Sequence, residues 1–247
     1  MKKEVVNVND LTVSYDADAG HVLGKKKKVP VLRDISFSME KGEILGLVGE
    51  SGSGKSTLAK AMLHLIGDYS GTVTHFTDHP QMIFQDPYAS LNPAKKIGWI
   101  LEEPLKLKGG YTKAERTEKV LAMLRKVGLP EHFAGRLPRE LSGGQRQRVC
   151  IAGALMLEPE LLIADEPVSA LDVTIQKQIL SLLREIHSET GISILFISHD
   201  LRVVYQMCDK VMIMKSGNIV EEGPVKEVYT SPRHEYTKSL LAAAGIH

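Results

Sequence analysis

The sequence is short of the features that mark membrane-spanning, secreted or polyanion-seeking proteins. It holds two cysteines in 247 residues, and its 31 basic residues are balanced by 30 acidic ones. No apolar run approaches the roughly 20 residues needed to span a bilayer, and the polar start at Met1 to Asp10 has no signal-peptide core. These absences exclude a membrane span and lead us to expect a cytosolic chain. Cys150 and Cys208 lie far apart, each inside an apparent helix, with no metal-ligand spacing around either, so both read as packing residues rather than a disulfide or ligands. The formal net charge of +1 gives no pull toward nucleic acid. A hydrophobic content of 43% excludes a disordered chain, and the length suits an α/β core with a smaller subdomain inserted.

What is present is organised around Gly49-Glu50-Ser51-Gly52-Ser53-Gly54-Lys55-Ser56, with Thr57 after it. The apolar run Ile44 to Val48 reads as a buried strand before it. Leu58, Ala61, Met62 and Leu65 predict a helix over Thr57 to Ile66 after it. Glycines between a strand and a helix let successive backbone N–H groups converge on phosphate oxygens, and the helix N-terminus adds free donors and a positive dipole. Lys55 would add a point charge beside the outer phosphates, and the Ser56 hydroxyl would ligate a magnesium ion bridging two of them.

The rest follows in chain order. Val5 to Tyr15 and Val31 to Met39 alternate as strands of a small antiparallel sheet, joined by an exposed connection, Asp16 to Pro30, whose lysine run Lys25 to Lys28 reads as solvated. Tyr15, ending the first strand, fits either adenine stacking or ordinary sheet packing. Gly71 to Phe76 reads as a further strand. Gln81 to Phe84 is another, and it delivers Gln85 where open α/β sheets put ligand contacts. From Asp86 to about Arg139 strands stop and helices take over at Ile97 to Leu105 and Thr112 to Val127, the second capped by Gly128. Leu141-Ser142-Gly143-Gly144-Gln145 precedes a helix from about Arg146 to Leu157. It fits a second anion-binding helix start or a plain cap. Leu161 to Ala164 reads as a central strand ending in Asp165-Glu166. Asp165 would orient magnesium, and Glu166 would accept a proton from, or polarise, an attacking water. Asp172 fits an N-cap for a helix over Ile175 to Thr190. Ile192 to Ile197 delivers His199 to the sheet edge, where it could donate to a γ-phosphate. Val211 to Lys215 and Ile219 to Glu222 form a hairpin turning at Gly217-Asn218, and Val225 to His247 reads as mostly helical with a break at Ser231-Pro232.

Together these residues resemble the ATP-binding subunit of an ABC transporter over nearly the whole chain. The phosphate loop matches Gly49 to Thr57, the signature Leu141 to Gln145, and the second nucleotide motif Leu161 to Glu166. The adenine-stacking, glutamine, aspartate-loop and switch-histidine positions match Tyr15, Gln85, Asp172 and His199. The resemblance implies an α/β fold with a P-loop NTPase (RecA-like) core, residues 1–85 and 158–225, that includes an N-terminal antiparallel β part. It also implies an inserted α-helical subdomain over 86–157 and a helical tail over 226–247. ATP and Mg2+ are the implied cofactors, with Ser56, Gln85 and Asp165 on the metal, and Glu166, His199 and Gln85 in catalysis.

Within that family Gln85 to Pro93 and Ser231 to Thr237 look like the peptide and nickel importer branch. The stretch from Ile66 to Gln81 is shorter than that branch usually carries, and no cysteine-bearing extension follows, which speaks against an iron–sulfur cluster. The resemblance implies head-to-tail pairing of two ATPase subunits, each ATP lying between one phosphate loop and the other's signature. It implies separate permease subunits docked near Gln85 to Trp99, a solute-binding protein, and a place on the cytoplasmic face of the membrane. A heterodimer of two ATPase subunits is expected, and a homodimer is allowed. Other readings are an accessory ATPase of phosphonate breakdown, or an ABC-type ATPase acting on DNA or ribosomes.

Overall fold

The computed structural model describes residues 3–17 and 27–246, and its contacts divide the chain into two compact units, Met1–Asp78 with Ser193–His247, and His79–Ile192. The first unit begins with the antiparallel pair β1 (Glu4–Ala17) and β2 (Lys27–Glu40). Val5, Val6, Val8, Leu11 and Val13 of β1 and Leu32, Ile35 and Met39 of β2 are buried among exposed and half-buried residues; the period-two pattern of a half-covered sheet holds from Val6 to Val8 and from Leu11 to Val13, and irregular pairing interrupts it between Val8 and Leu11. The strands run further than their alternation predicts, to a pairing of Ala17 with Lys27. Residues 18–26, with Lys25 and Lys26 of the lysine run, lie outside the described residues. Lys28 is exposed and pairs with Asp68 at 2.9 Å.

Next come β3 (Ile44–Val48), buried throughout, α1 (Lys55–Met62) and β4 (Tyr69–His75), which pairs with β1. Helix α1 is shorter than its periodicity predicts. His64, at φ 54°, leaves the helix; its N–H donates to Ala61 O at 3.0 Å and that of Leu65 to Lys60 O at 2.9 Å. This is a Schellman stop built without glycine, and it leaves Leu65 in solvent rather than on the buried stripe.

The second unit holds β5 (Gln81–Ile83), α2 (Pro87–Ser90), α3 (Ile97–Lys108), α4 (Lys113–Lys126), α5 (Gly143–Leu155), β6 (Leu161–Asp165) and α6 (Val173–Thr190). Strands β5 and β6 are parallel. Leu101 and Leu105 of α3, Leu124 of α4, and Val149 and Ile151 of α5 form a helical core; each buried aliphatic side chain contributes about 1.5–3 kcal/mol. Gly128, at φ 72°, ends α4 as expected. Helix α5 starts earlier than expected, at Gly143, because Ser142 caps it.

The chain returns to the first unit with β7 (Ser193–Ile197), α7 (Leu201–Met207), β8 (Lys210–Lys215), β9 (Asn218–Pro224), α8 (Val225–Thr230) and α9 (Glu235–Ala243). Strand β3 lies between β7 and β8, parallel to both, and β9 folds back antiparallel to β8. The hairpin turns at Ser216 and Gly217, φ 47° and 82°, not at Gly217-Asn218, because a two-residue connection needs positive φ at both central positions. Cys208 lies just past the end of α7 rather than inside it, against Gly46, and among the described residues neither cysteine forms a disulfide. Burial, with the Asp86 charge second, pushes the Cys150 thiol up to about 12, in keeping with a packing role.

Candidate functional site

In the first unit the residues from 49 to 57 link β3 to α1. Gly52 and Gly54 take φ 80° and 110°, and Gly54 stands at the N-cap of α1 without a side-chain cap, so the first N–H groups of that helix keep no capping side chain. Gly49 is required by space: a Cβ there would sit 2.2 Å from the carbonyl oxygen of Met214. Lys55 is buried, and its ammonium donates to Gly49 O at 2.8 Å and Glu50 O at 3.0 Å. Those bonds fold its side chain back along the loop. The buried Ser53 Oγ lacks a hydrogen-bond partner, and no atom lies within 4 Å of where a Gly52 Cβ would stand. A glycine-rich loop with a buried hydroxyl that lacks a partner, open space at Gly52 and an uncapped helix start is a cradle suited to an anion.

Because β7 runs parallel beside β3, with Leu47 opposite Ile197, the phosphate loop and His199 leave from the same sheet edge. His199 is exposed there, between the buried Ser198 and Asp200, whose carboxylate caps α7 by accepting from Arg202 N at 2.9 Å. Tyr15 is 46% exposed, so part of its surface is open to a partner. It lies within β1 rather than at its end.

In the second unit the parallel pairing of β5 with β6 brings Gln85 and Glu166 to one edge. Gln85 Nε2 donates to Glu166 Oε2 at 2.9 Å. That bond uses the amide's donor side and leaves Oε1 as the oxygen available to a cation. Asp165 is buried and Glu166 only half-buried, the inside–outside alternation expected at the end of a strand. Glu166 has φ 46°, and its carbonyl accepts from Ser169 N at 3.2 Å and Ser169 Oγ at 3.1 Å, which hold that uncommon conformation. The hydroxyl of Ser56, the carboxylate of Asp165 and the amide oxygen of Gln85 are hard oxygen donors of the kind magnesium takes.

The signature Leu141 to Gln145 forms a capping box: Gln145 N donates to Ser142 Oγ at 3.4 Å and Ser142 N to Gln145 Oε1 at 3.0 Å. The plain cap is therefore real, and Ser142 is nonetheless exposed at the helix start. Gly144 has a packing reason as well, whereas a Cβ on Gly143 would meet only ordinary contact with Leu171 at 3.6 Å. A Cβ on Gly144 would lie 2.6 Å from Ile175 Cγ2, so α5 meets the start of α6 closely, where Asp172 caps by accepting from Thr174 N at 3.1 Å and Ile175 N at 3.0 Å.

Two features had no local signal. Arg146 lies over the Tyr88 ring at 3.9 Å and donates to Pro138 O at 2.7 Å, tying the segment after Gln85 to the signature helix. Tyr236, in the stretch noted only for its resemblance to one branch, has its hydroxyl 3.2 Å from Glu50 N.

Comparison with known proteins gives the family. The ABC transporter family model matches residues 32–169. The chain is 44% identical to the dipeptide transport ATP-binding protein DppF of Haemophilus influenzae, over 97% of this chain and 77% of that protein. It is 42% identical to the oligopeptide transport ATP-binding protein AppF of Bacillus subtilis, over 99% of this chain and 79% of that one. Among solved structures it is similar to a dimeric ATP-binding cassette in a post-hydrolysis state bound to ADP and Pi, with TM-score 0.76 and 28% identity over 89% of this chain and 98% of the other. It is also similar to cbiO1 of Clostridium perfringens, with TM-score 0.78 and 27% identity over 98% and 96% of the two chains.

Proposed function

We propose that this chain, which belongs to the ABC transporter family and is an ATPase coupled to transport, powers the import of small peptides. The observation that carries the hydrolytic half of this reading is the bond from Gln85 to Glu166, a carboxylate at a strand exit already oriented by its neighbour. The solute class rests on the two relatives, both named for peptide transport, which favours peptide over nickel.

In the mechanism we propose, the backbone N–H groups of residues 49–57 and the start of α1 hold the phosphates, and Lys55 gives a charge to the outer ones. Tyr15 stacks the adenine. Ser56, Asp165 and Gln85 Oε1 would hold magnesium, which when bound neutralises phosphate charge. Glu166 draws the proton of the attacking water, and His199 donates to the γ-phosphate. The signature and Asp172 address a nucleotide held by a second ATPase subunit, so two copies of the site close head to tail. That second subunit is a different gene product in the cell, and the pair docks on permeases near Gln85 to Trp99 at the cytoplasmic face of the membrane, with a solute-binding protein delivering cargo. Among the described residues no helix is long and apolar enough to cross a membrane.

Deletion of the gene in its native host, followed by uptake of labelled dipeptide and of nickel, tests the solute. Loss of peptide uptake alone is expected, and loss of nickel uptake alone would reverse the assignment. Affinity purification from that host tests the pairing: recovery with permeases but no second ATPase would replace the heterodimer with a homodimer.

A further inference from the structure

The phosphate loop is braced from outside by a strap that lies well C-terminal to the residues matched by the family model. The loop's inner side rests on the β8–β9 hairpin, where Gly217 N donates to Ser53 O at 2.9 Å. Its outer side meets α9, where the hydroxyl of the buried Tyr236 accepts from Glu50 N at 3.2 Å. The Tyr236 ring lies beneath Lys215 Nζ, 4.7 Å from its centroid, at the end of β8. Burial and the Glu50 carboxylate hold the phenol above its ordinary range, so it stays protonated and neutral.

The strap is itself anchored. The Glu221 carboxylate on β9 accepts from Arg233 N at 2.7 Å and from His234 N at 3.0 Å, just before α9. His234 Nδ1 then caps the helix by accepting from Tyr236 N at 3.1 Å. Glu221, His234, Tyr236 and Glu50 thus form one connected path from the hairpin to the exit of β3.

We propose that Tyr236 is a positioning residue for ATP binding: by fixing Glu50 it holds the phosphate loop in its binding shape, and the Glu221 anchor sets that contact. A pinned loop needs less ordering when the phosphates arrive, so the strap strengthens binding without touching the nucleotide. The proposal rests on the reading of Gly49 to Thr57 as the ATP phosphate site. It concerns affinity rather than chemistry, because Glu166 and His199 are not part of the path.

The test is Tyr236→Phe, which keeps the ring and removes only the oxygen. Titration with a fluorescent ATP analogue and steady-state kinetics should show Kd and KM for ATP raised about three- to tenfold, with kcat nearly unchanged. Glu221→Ala should weaken ATP binding in the native background and add little once Tyr236 is Phe, since both act through one contact. Unchanged affinity in Tyr236→Phe, a loss confined to kcat, or fully additive effects of the two substitutions would overturn the proposal. Lys55→Ala separates the two levels. If it too binds ATP normally, the phosphate-site reading fails; if it loses affinity while Tyr236→Phe does not, the strap alone fails.

Discussion

Gln85 and Glu166 meet side chain to side chain at 2.9 Å although 81 residues separate them in the chain, because each follows one of two adjacent parallel strands. The amide donates and so orients the carboxylate, and the uncommon backbone at Glu166 keeps that carboxylate at the strand exit.

Glu166→Gln therefore should leave ATP binding near normal while lowering kcat by about 10²–10⁴-fold, since the neutral amide cannot take the water's proton. The variant should accumulate as an ATP-bound dimer on size-exclusion chromatography. A monomer with near-normal turnover would remove Glu166 from the mechanism.

Lys55→Ala should act on binding instead. It removes the charge offered to the outer phosphates, where a charge-assisted bond contributes about 1.5–3 kcal/mol, so ATP affinity should fall by about tenfold or more. Titration with a fluorescent ATP analogue measures it.

Gly49→Ala and Gly52→Ala should differ in stability for a reason visible in space. At Gly49 the new methyl would lie 2.2 Å from a backbone oxygen, and overpacking against the main chain costs about 3 kcal/mol. At Gly52 the space is open, and only the φ of 80° is strained, at about 1 kcal/mol. Thermal unfolding of the two variants without nucleotide should show the larger loss for Gly49→Ala; the reverse order would contradict the packing described here.

Stability at low pH should carry the signature of Glu221. Burial acts to raise its pKa, but the hydrogen bonds the carboxylate accepts, led by that from the Arg233 N–H, outweigh burial and leave it below the ordinary 4.5. A carboxyl whose folded value lies below its unfolded value stabilises the fold above the unfolded value, and that contribution disappears as pH falls through the folded value. Glu221→Gln should therefore be less stable than the native chain at neutral pH, and the gap between their melting temperatures should narrow as pH drops below about 4.5. A gap that stays constant with pH would show that the Glu221 charge contributes nothing.

Several parts of the site were legible in the sequence because they are local. Glycine spacing between a buried strand and a helix points to a loop suited to phosphate within nine residues. Ser142 and Asp172 cap the helices that follow them, which needs only the hydroxyl or carboxylate and the next turn of backbone. Strand ends put Gln85, Asp165, Glu166 and His199 in view as candidates, since apolar runs that stop at a polar residue announce an edge.

Tertiary structure decided what depends on distant backbone. Helix α1 stops at Met62 because His64 adopts a left-handed conformation that glycine usually fills, and no periodicity of apolar residues reports that. Gly49 reads locally as flexibility, yet its requirement is the Met214 carbonyl brought alongside by the pairing of β3 with β8. Tyr236 and Glu50 are 186 residues apart, and their contact exists only because the hairpin and Glu221 bring α9 back to the exit of β3. Local chemistry fixes which groups can bind and react, whereas the hold placed on them from behind comes from strand order and chain return, which a linear pattern does not encode.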